Sequence, residues 1–372
     1  MLLGDRAKFL MLLGGVTFAA LLMLQQAAVF CGLLTWTTSH LTNLQAKVWV
    51  VEAMVEQANE LKPLRDTDVS RVRSVTGVGW AVPLYIGITN ARLSDGNFKP
   101  ILMVGLDSAT LVGRPAIMLD GRLEDLRKPN SIVIDDLALQ RLKTPSGIPP
   151  KIGDSFEIND IEARIVGICK ADRAFFGYPY VFTTYDQALQ FAPRQRKMLS
   201  ASLVEPAVGW TAEATARKIE LETGLRAYTQ DEFYWATIRW FFKNTGIPIS
   251  FGTTIILGII VGIAISGQTF YTFVLENLRH LGALKAMGAS NALLSMMLIF
   301  QAFFVGFTGY GIGLLAAVGF GAGAIKRGQP PFVMPWQLPT GVFALIMVIC
   351  LLAAIIGILK VIRLEAAVVF RG

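Results

Sequence analysis

Side chains able to do chemistry are few in this chain, and their spacing does not suit them to it. Two pairs of adjacent acids stand out, Asp135-Asp136 and Asp231-Glu232. Neighbouring residues do not share a face on either a strand or a helix, so neither pair is arranged for paired acid–base work. The two histidines, His40 and His280, lie far apart in the sequence and offer no metal cluster. Of the three cysteines, Cys31 and Cys350 fall in apolar runs, which leaves Cys169 without a partner for a disulfide in the polar region. No serine lies in a G-x-S-x-G elbow, and the chain lacks a G-x-x-x-x-G-K-S/T phosphate loop. Catalysis by this chain is therefore not expected, and no cofactor or metal site is read from it. Any energy drawn from ATP must enter through another subunit.

One charged stretch remains, Glu276 to Ser290, ENLRHLGALKAMGAS. It is the polar interruption between two long apolar runs. Leu278, Leu281, Leu284 and Met287 recur at helical spacing and form an apolar stripe, with Gly288 as a stop. Glu276, Arg279, His280 and Lys285 supply the polar face. The pattern predicts a short amphipathic helix over about 277–287. The plain reading is a helix floating at the membrane surface, its basic side chains snorkelling. A connection between two spans needs fewer residues than this, so a structured helix here invites a partner.

The elements around this stretch are set by composition. The 372-residue chain is 53% hydrophobic with a mean hydropathy of +0.52, and only 16% charged against about 25% in soluble domains. The excess is concentrated in runs at 10–35, 247–273, 293–325 and 338–359, each long enough to cross a bilayer as a helix. The first run is too long for a signal peptide, and Arg6 and Lys8 before it place the N-terminus in the cytoplasm. Lys360, Arg363 and Arg371 put the tail on the same side, as four spans require. Many of the basic residues behind the net charge of +7 flank spans, and no Lys/Arg patch interleaved with aromatics points to nucleic acid. The main body of each span lacks Asp, Glu, Lys and Arg, which argues against an ion-coupled transporter. Gln25 and Gln26 call for a helix neighbour rather than lipid. Gly258, Gly262 and Ser266, four residues apart, permit close helix approach, either within the chain or in a dimer.

Residues 37–246 form the soluble-looking part, an α+β domain. Strands are expected at Ala46–Val55, Val78–Leu93 and Phe98–Asp107, the last two joined at Asp95-Gly96-Asn97. A helix is expected over Leu64–Val75 with Thr67 or Asp68 as cap, and another over Thr211–Gly224. Phe175, Phe176, Tyr178 and Tyr180 read either as a contact surface or as packing. Trp235, Trp240, Phe241 and Phe242, just before the second span, read as an interfacial anchor.

One span, an external domain, then three spans with a helix between the second and third resembles the FtsX/MacB-type (type VII) permeases of bacterial ABC systems. The segment Glu276–Phe303, ENLRHLGALKAMGASNALLSMMLIFQAF, is similar to the signature of that family. The form LKAMGAS, with KVWVVE at Lys47–Glu52, looks most like its DevC-like branch. The tail LEAAVVFRG departs from the family ending, where a Pro-Ala often stands.

The resemblance implies a bacterial inner-membrane, multi-pass protein with both termini cytoplasmic and its large domain periplasmic. It implies an ATPase-coupling interface made by Arg279, Leu281, Leu284, Lys285, Met287, Gly288 and Ala289. ATP and Mg would be bound by two copies of a partner ATPase. Further implied partners are a second permease copy, a periplasmic membrane-fusion adaptor, an outer-membrane channel and membrane lipid. The implied layout is helix 1 within 1–36, the external domain at 37–246, and helix 2 at 247–275. The coupling helix (276–290), helix 3 (291–325), a periplasmic loop (326–337), helix 4 (338–359) and the tail (360–372) follow. The external domain would divide into a mixed part, about 45–112 with 198–230, and a β-rich inserted part, about 113–195. The implied function is ATP-driven movement of the external domain that powers efflux. FtsX-like signalling to cell-wall hydrolysis, or lipoprotein extraction, are the alternatives.

Overall fold

The computed structural model describes residues 6–144, 146–193 and 199–362. The first elements are α1 (Arg6–Thr37), α2 (Ser39–Leu44), β1 (Val48–Val51), α3 (Asp66–Arg73), β2 (Val78–Arg92) and β3 (Phe98–Leu106). Next come β4 (Ile117–Gly121), a 3-10 turn (Leu123–Arg127), β5 (Ser131–Asp135), α4 (Ala138–Arg141), β6 (Ser155–Ile158) and β7 (Ile161–Lys170). They are followed by β8 (Tyr180–Thr184), α5 (Tyr185–Phe191), β9 (Ala201–Pro206), α6 (Ala212–Thr223), β10 (Arg226–Thr229) and α7 (Gln230–Asn244). The last are α8 (Ile247–Glu276), α9 (Leu278–Ala286), α10 (Asn291–Arg327) and α11 (Gln337–Ile362). The chain forms two compact units, one from Leu34 to Thr245 and one from the residues up to Leu33 with those from Gly246 onward.

In the first unit the strands run in the order β10-β1-β9-β2-β3-β8-β5-β7-β4, with β6 against β2 and β7. The long strand β2 is the seam. Its first half pairs antiparallel with β9 and its second half with β3. Parallel pairing of β3 with β8 then carries the sheet into β5 and β7. β1 shows why a short apolar run becomes a central strand. VWVV is buried on both faces, Trp49 and Val51 in one core and Val48 and Val50 in another. Helices α3 and α6 cover the second core through Val72, Ala216 and Ile219.

Local signals set the ends of these elements. The hairpin turn of β2 and β3 closes with Leu93 N–H on Asn97 O, and Asp95 Oδ1 accepts from Asn97 N–H. α6 starts at Thr211, whose Oγ1 accepts from Ala214 N–H, and stops at Gly224 with φ 70°. Two expected boundaries move. The strand at Ala46–Val55 shrinks to β1, because its flanks turn away. The helix expected from Leu64 begins at Asp66, since Leu64 is bridged to Leu199 instead. Asp68 is not the cap itself; from the first turn it accepts Arg65 N–H at 3.0 Å.

In the second unit, four helices among the described residues are long and apolar enough to cross a membrane: Phe9–Thr37, Ile247–Glu276, Asn291–Arg327 and Gln337–Leu359. Lipid tails give no hydrophobic drive for helices to associate, so close backbone approach matters. Two glycines of α10 supply it. A Cβ on Gly309 would lie 2.8 Å from Val16 Cγ1, and one on Gly313 would lie 2.8 Å from Ala20 Cβ and 2.9 Å from Thr17 O. α1 thus packs directly on the α10 backbone. The tail residues Arg363 and Arg371, and the segment Leu364–Gly372, lie outside the described residues.

Candidate functional site

The charged interruption is built as a closed helix–turn–helix. α8 ends at Asn277, whose Nδ2 donates to Phe273 O at 2.9 Å. After α9, Gly288 N–H donates to Lys285 O at 3.1 Å and Ala289 N–H to Leu284 O at 3.0 Å. Gly288 sits at φ 100°, where a side chain would be strained. Ser290 then caps α10, its Oγ accepting from Leu293 N–H at 3.2 Å. These bonds close both ends of α9 with groups that a loose loop would leave to water.

The expected apolar stripe divides in two. Leu281 is 2% exposed and belongs to the core of the span helices. Leu284 and Ala289 pack partly against that core. Met287, by contrast, is 75% exposed, and Arg279 and His280 are exposed as well. Lys285 is half-buried and its Nζ donates to the Ile362 carbonyl of α11, 3.3 Å away. The side chain of Leu278 lies outside the described residues.

The small residues of α8 face inward. A Cβ on Gly258 would meet Met23, and one on Gly262 would meet Ala19 at 3.0 Å and Ile349 at 3.7 Å. Ser266 is 1% exposed. This face is therefore occupied by α1 and α11 of the same chain. Of the aromatic group on α7, Phe241 is a core residue, its ring 5.1 Å from that of Phe175, while Trp235 and Phe242 are exposed and Trp240 is half-buried.

The acid pairs turn out to be structural. Glu232 closes a capping box on α7, its Oε2 accepting from Thr229 N–H at 2.9 Å. Asp136 is held by both guanidinium nitrogens of Arg173, at 2.8 and 3.1 Å. Asp135 is fully buried, and Oδ1 accepts from Ala138 N–H at 2.9 Å. Its Oδ2 has no hydrogen bond and lies 3.8 Å from Arg173. Burial pushes this carboxyl up to about 7, against the pull of its hydrogen bonds and of Arg173. Sequence reading passed over Arg173, because 37 residues separate it from Asp136. It also passed over the buried chain Ser39–Tyr180–His40, in which the Tyr180 hydroxyl lies 2.9 Å from Ser39 Oγ and 2.8 Å from His40 Nδ1. Among the described residues no group of three or more His, Cys, Asp or Glu could hold a metal ion.

Comparison with known proteins gives two family matches. Residues 238–366 match the FtsX-like permease C-terminal family, and residues 25–221 match the MacB-like periplasmic core domain. No curated protein matches. Among solved structures, the extracellular domain of the ABC-type transporter YknZ from Gram-positive bacteria aligns at 14% identity. It covers 50% of this chain and 98% of that one, with a TM-score of 0.36. The periplasmic region of MacB from Actinobacillus actinomycetemcomitans aligns at 12% identity over 55% of this chain and 95% of that one, TM-score 0.39. A domain of a putative permease protein from Porphyromonas gingivalis aligns at 13% identity over 49% and 88%, TM-score 0.31. The core-domain match spans more than half of the chain, and the permease match takes in α8, α9, α10 and all of α11 as described. With four span-length helices around an α+β domain, the protein belongs to the FtsX/MacB-type permease family, as a multi-pass membrane protein with a large extracytoplasmic domain.

Proposed function

We propose that this chain is the permease subunit of a bacterial ABC exporter, resembling most the DevC-like branch. A separate ATPase subunit docks on the α9 turn from the cytoplasm, two copies serving two permeases. ATP and Mg stay on those subunits. Both chain ends are cytoplasmic, and the domain of residues 37–246 works in the periplasm, its β-rich part at about 113–195 inserted into the mixed part. Its movement drives efflux through an adaptor and an outer-membrane channel.

The observation that supports this reading is the two-faced character of α9. Arg279, His280 and Met287 are exposed on a helix whose other face, through Leu281, is packed into the core of the spans. A push on the exposed face moves a well-packed body, because interiors at crystal-like density transmit strain rather than absorb it. Lys285 adds a direct tie to α11. Packed side chains are one route by which such coupling can travel, and the cluster that holds Leu281 supports this reading.

The experiment is to replace Arg279 with Glu and Met287 with Asp in one variant, purify it in nanodiscs and measure its effect on the cognate ATPase. Both positions are exposed, so the fold should survive. Expected is at least a tenfold loss of ATPase stimulation and of co-purified ATPase. Stimulation at the wild-type level would refute the docking role. Proteins co-purified from native membranes separate the functional readings. An adaptor with an outer-membrane channel means efflux, a cell-wall hydrolase or its activator means signalling, and lipoproteins mean extraction.

A further inference from the structure

Helix α7 carries a face that neither the domain core nor the coupling role uses. Trp235, Arg239, Phe242 and Lys243 recur at spacings of three and four residues, and all four are exposed, Trp235 at 59%. On the opposite face Phe233, Thr237 and Phe241 are buried in the domain. Charge is sorted along the helix. Its carboxylates, Asp231 and Glu232, stand in the first turn, where they suit the helix dipole and Glu232 closes the cap. Its cations stand in the second half, toward the end that leads into α8.

That end is closed in a way that suits a place poor in water. Asn244 Nδ2 donates to Trp240 O at 3.0 Å. Thr245 donates to Phe241 O through its hydroxyl at 2.7 Å and its N–H at 3.2 Å. Carbonyls that a helix end commonly leaves to water are thus satisfied by the chain itself. Thr245 is extended, at φ −118° and ψ 149°, so α7 stops there and does not run on into α8 as one helix. Yet α8 opens at Ile247, with only Thr245 and Gly246 between. Three residue steps from Asn244 cover at most about 11 Å. Connectivity alone therefore keeps the basic end of α7 beside the start of a membrane span. Another exposed ring, Phe176, lies near the same end: it meets Phe175 at 5.0 Å, and Phe175 meets Phe241 at 5.1 Å.

Exposed aromatic rings and cations on one helix face, tethered this closely to a span, fit a lipid surface. Trp and Phe settle at the boundary between headgroups and acyl chains, and Arg and Lys are drawn to anionic headgroups. We propose that the exposed face of α7 docks on the bilayer that α8 enters, and that its partner is the anionic lipid of the outer leaflet. The docking goes beyond the coupling role and needs no ATPase, so the two stand or fall separately.

The test places the photocrosslinker p-benzoylphenylalanine at Trp235, at Phe242 or, as a control, at Phe98 of β3, which is 65% exposed and has no short tether to a span. The full chain goes into nanodiscs of phosphatidylcholine alone or of an equal mixture with phosphatidylglycerol, and mass spectrometry counts lipid adducts. Adducts are expected at both α7 positions at least fivefold above Phe98, and at least threefold more of them in the anionic discs. Arg239→Gln with Lys243→Gln should remove the anionic gain while adducts in neutral discs persist, which a misfolded variant would not show. Adducts at Phe242 but not at Trp235 would mean that α7 stands off the bilayer. Crosslinks to a second chain would mean a protein partner. Yields equal to Phe98, or blind to phosphatidylglycerol, would remove the lipid selection. Each of these results overturns the proposal.

Discussion

The ring of Phe332 lies against α10 at Gly321, so close that a single added methyl group would collide with it. The same segment crosses α1 at Gly32, where a Cβ would lie 2.5 Å from Phe332 N and 2.7 Å from Pro331 C, and Val333 N–H donates to Ala28 O at 3.0 Å. The connection between α10 and α11 is thus wedged into two helices through their glycines.

This wedge predicts graded damage. Gly321→Ala meets the movable end of a side chain and should cost about 1–3 kcal/mol, the usual range for overpacking. Gly32→Ala meets backbone and should cost more. Thermal unfolding in nanodiscs, with limited proteolysis of residues 328–336, checks this. Equal midpoints for both variants and wild type would show that the wedge is not seated as described.

Asp135 sets a pH dependence for the external unit. Its folded value is about 7 against an ordinary 3.8, because burial outweighs the nearby hydrogen bonds and Arg173. The folded state therefore keeps a proton that the unfolded chain loses. Stability on this account is highest below about pH 4, falls as pH rises towards 7 and levels off above it. Asp135→Asn should flatten the fall between pH 5 and pH 8, as read by the thermal midpoint of the unit. A slope identical to wild type would contradict a protonated carboxyl. Asp136 and Arg173 stay in place in that variant, so the difference reports Asp135 alone.

Gly262→Leu should damage the fold of one chain rather than its assembly. The added side chain would strike Ala19 of α1 and approach Ile349 of α11. A loss of roughly 2–3 kcal/mol is expected from overpacking. The readout is unfolding at a protein concentration where the oligomer mass, measured in parallel, is unchanged. A shift in mass with unaltered unfolding would instead place another chain against this face.

Much of the architecture was legible because its signals are local or cumulative. Four apolar runs of span length name four membrane helices, and the alternation of β2 with Asp95-Gly96-Asn97 names a hairpin. Thr211 with Gly224 brackets α6 to within a residue, since cap geometry depends on a few neighbouring groups. Even the helix at 277–287 follows from spacing, as α9 shows. Boundaries slipped where a distant partner intervened, as when Leu199 claimed Leu64.

Sequence by itself determined which segments are helices, strands and spans, and that α9 has an apolar and a charged side. Only the tertiary structure decided that Leu281 faces the span core while Met287 stays outside, that α1 fills the Gly258–Gly262 face of α8, and that Arg173 clamps Asp136. The reason is physical. Hydrophobicity and capping are properties of a residue and its near neighbours, whereas a buried face, an ion pair or a cavity is a relation between groups that the chain brings together only on folding.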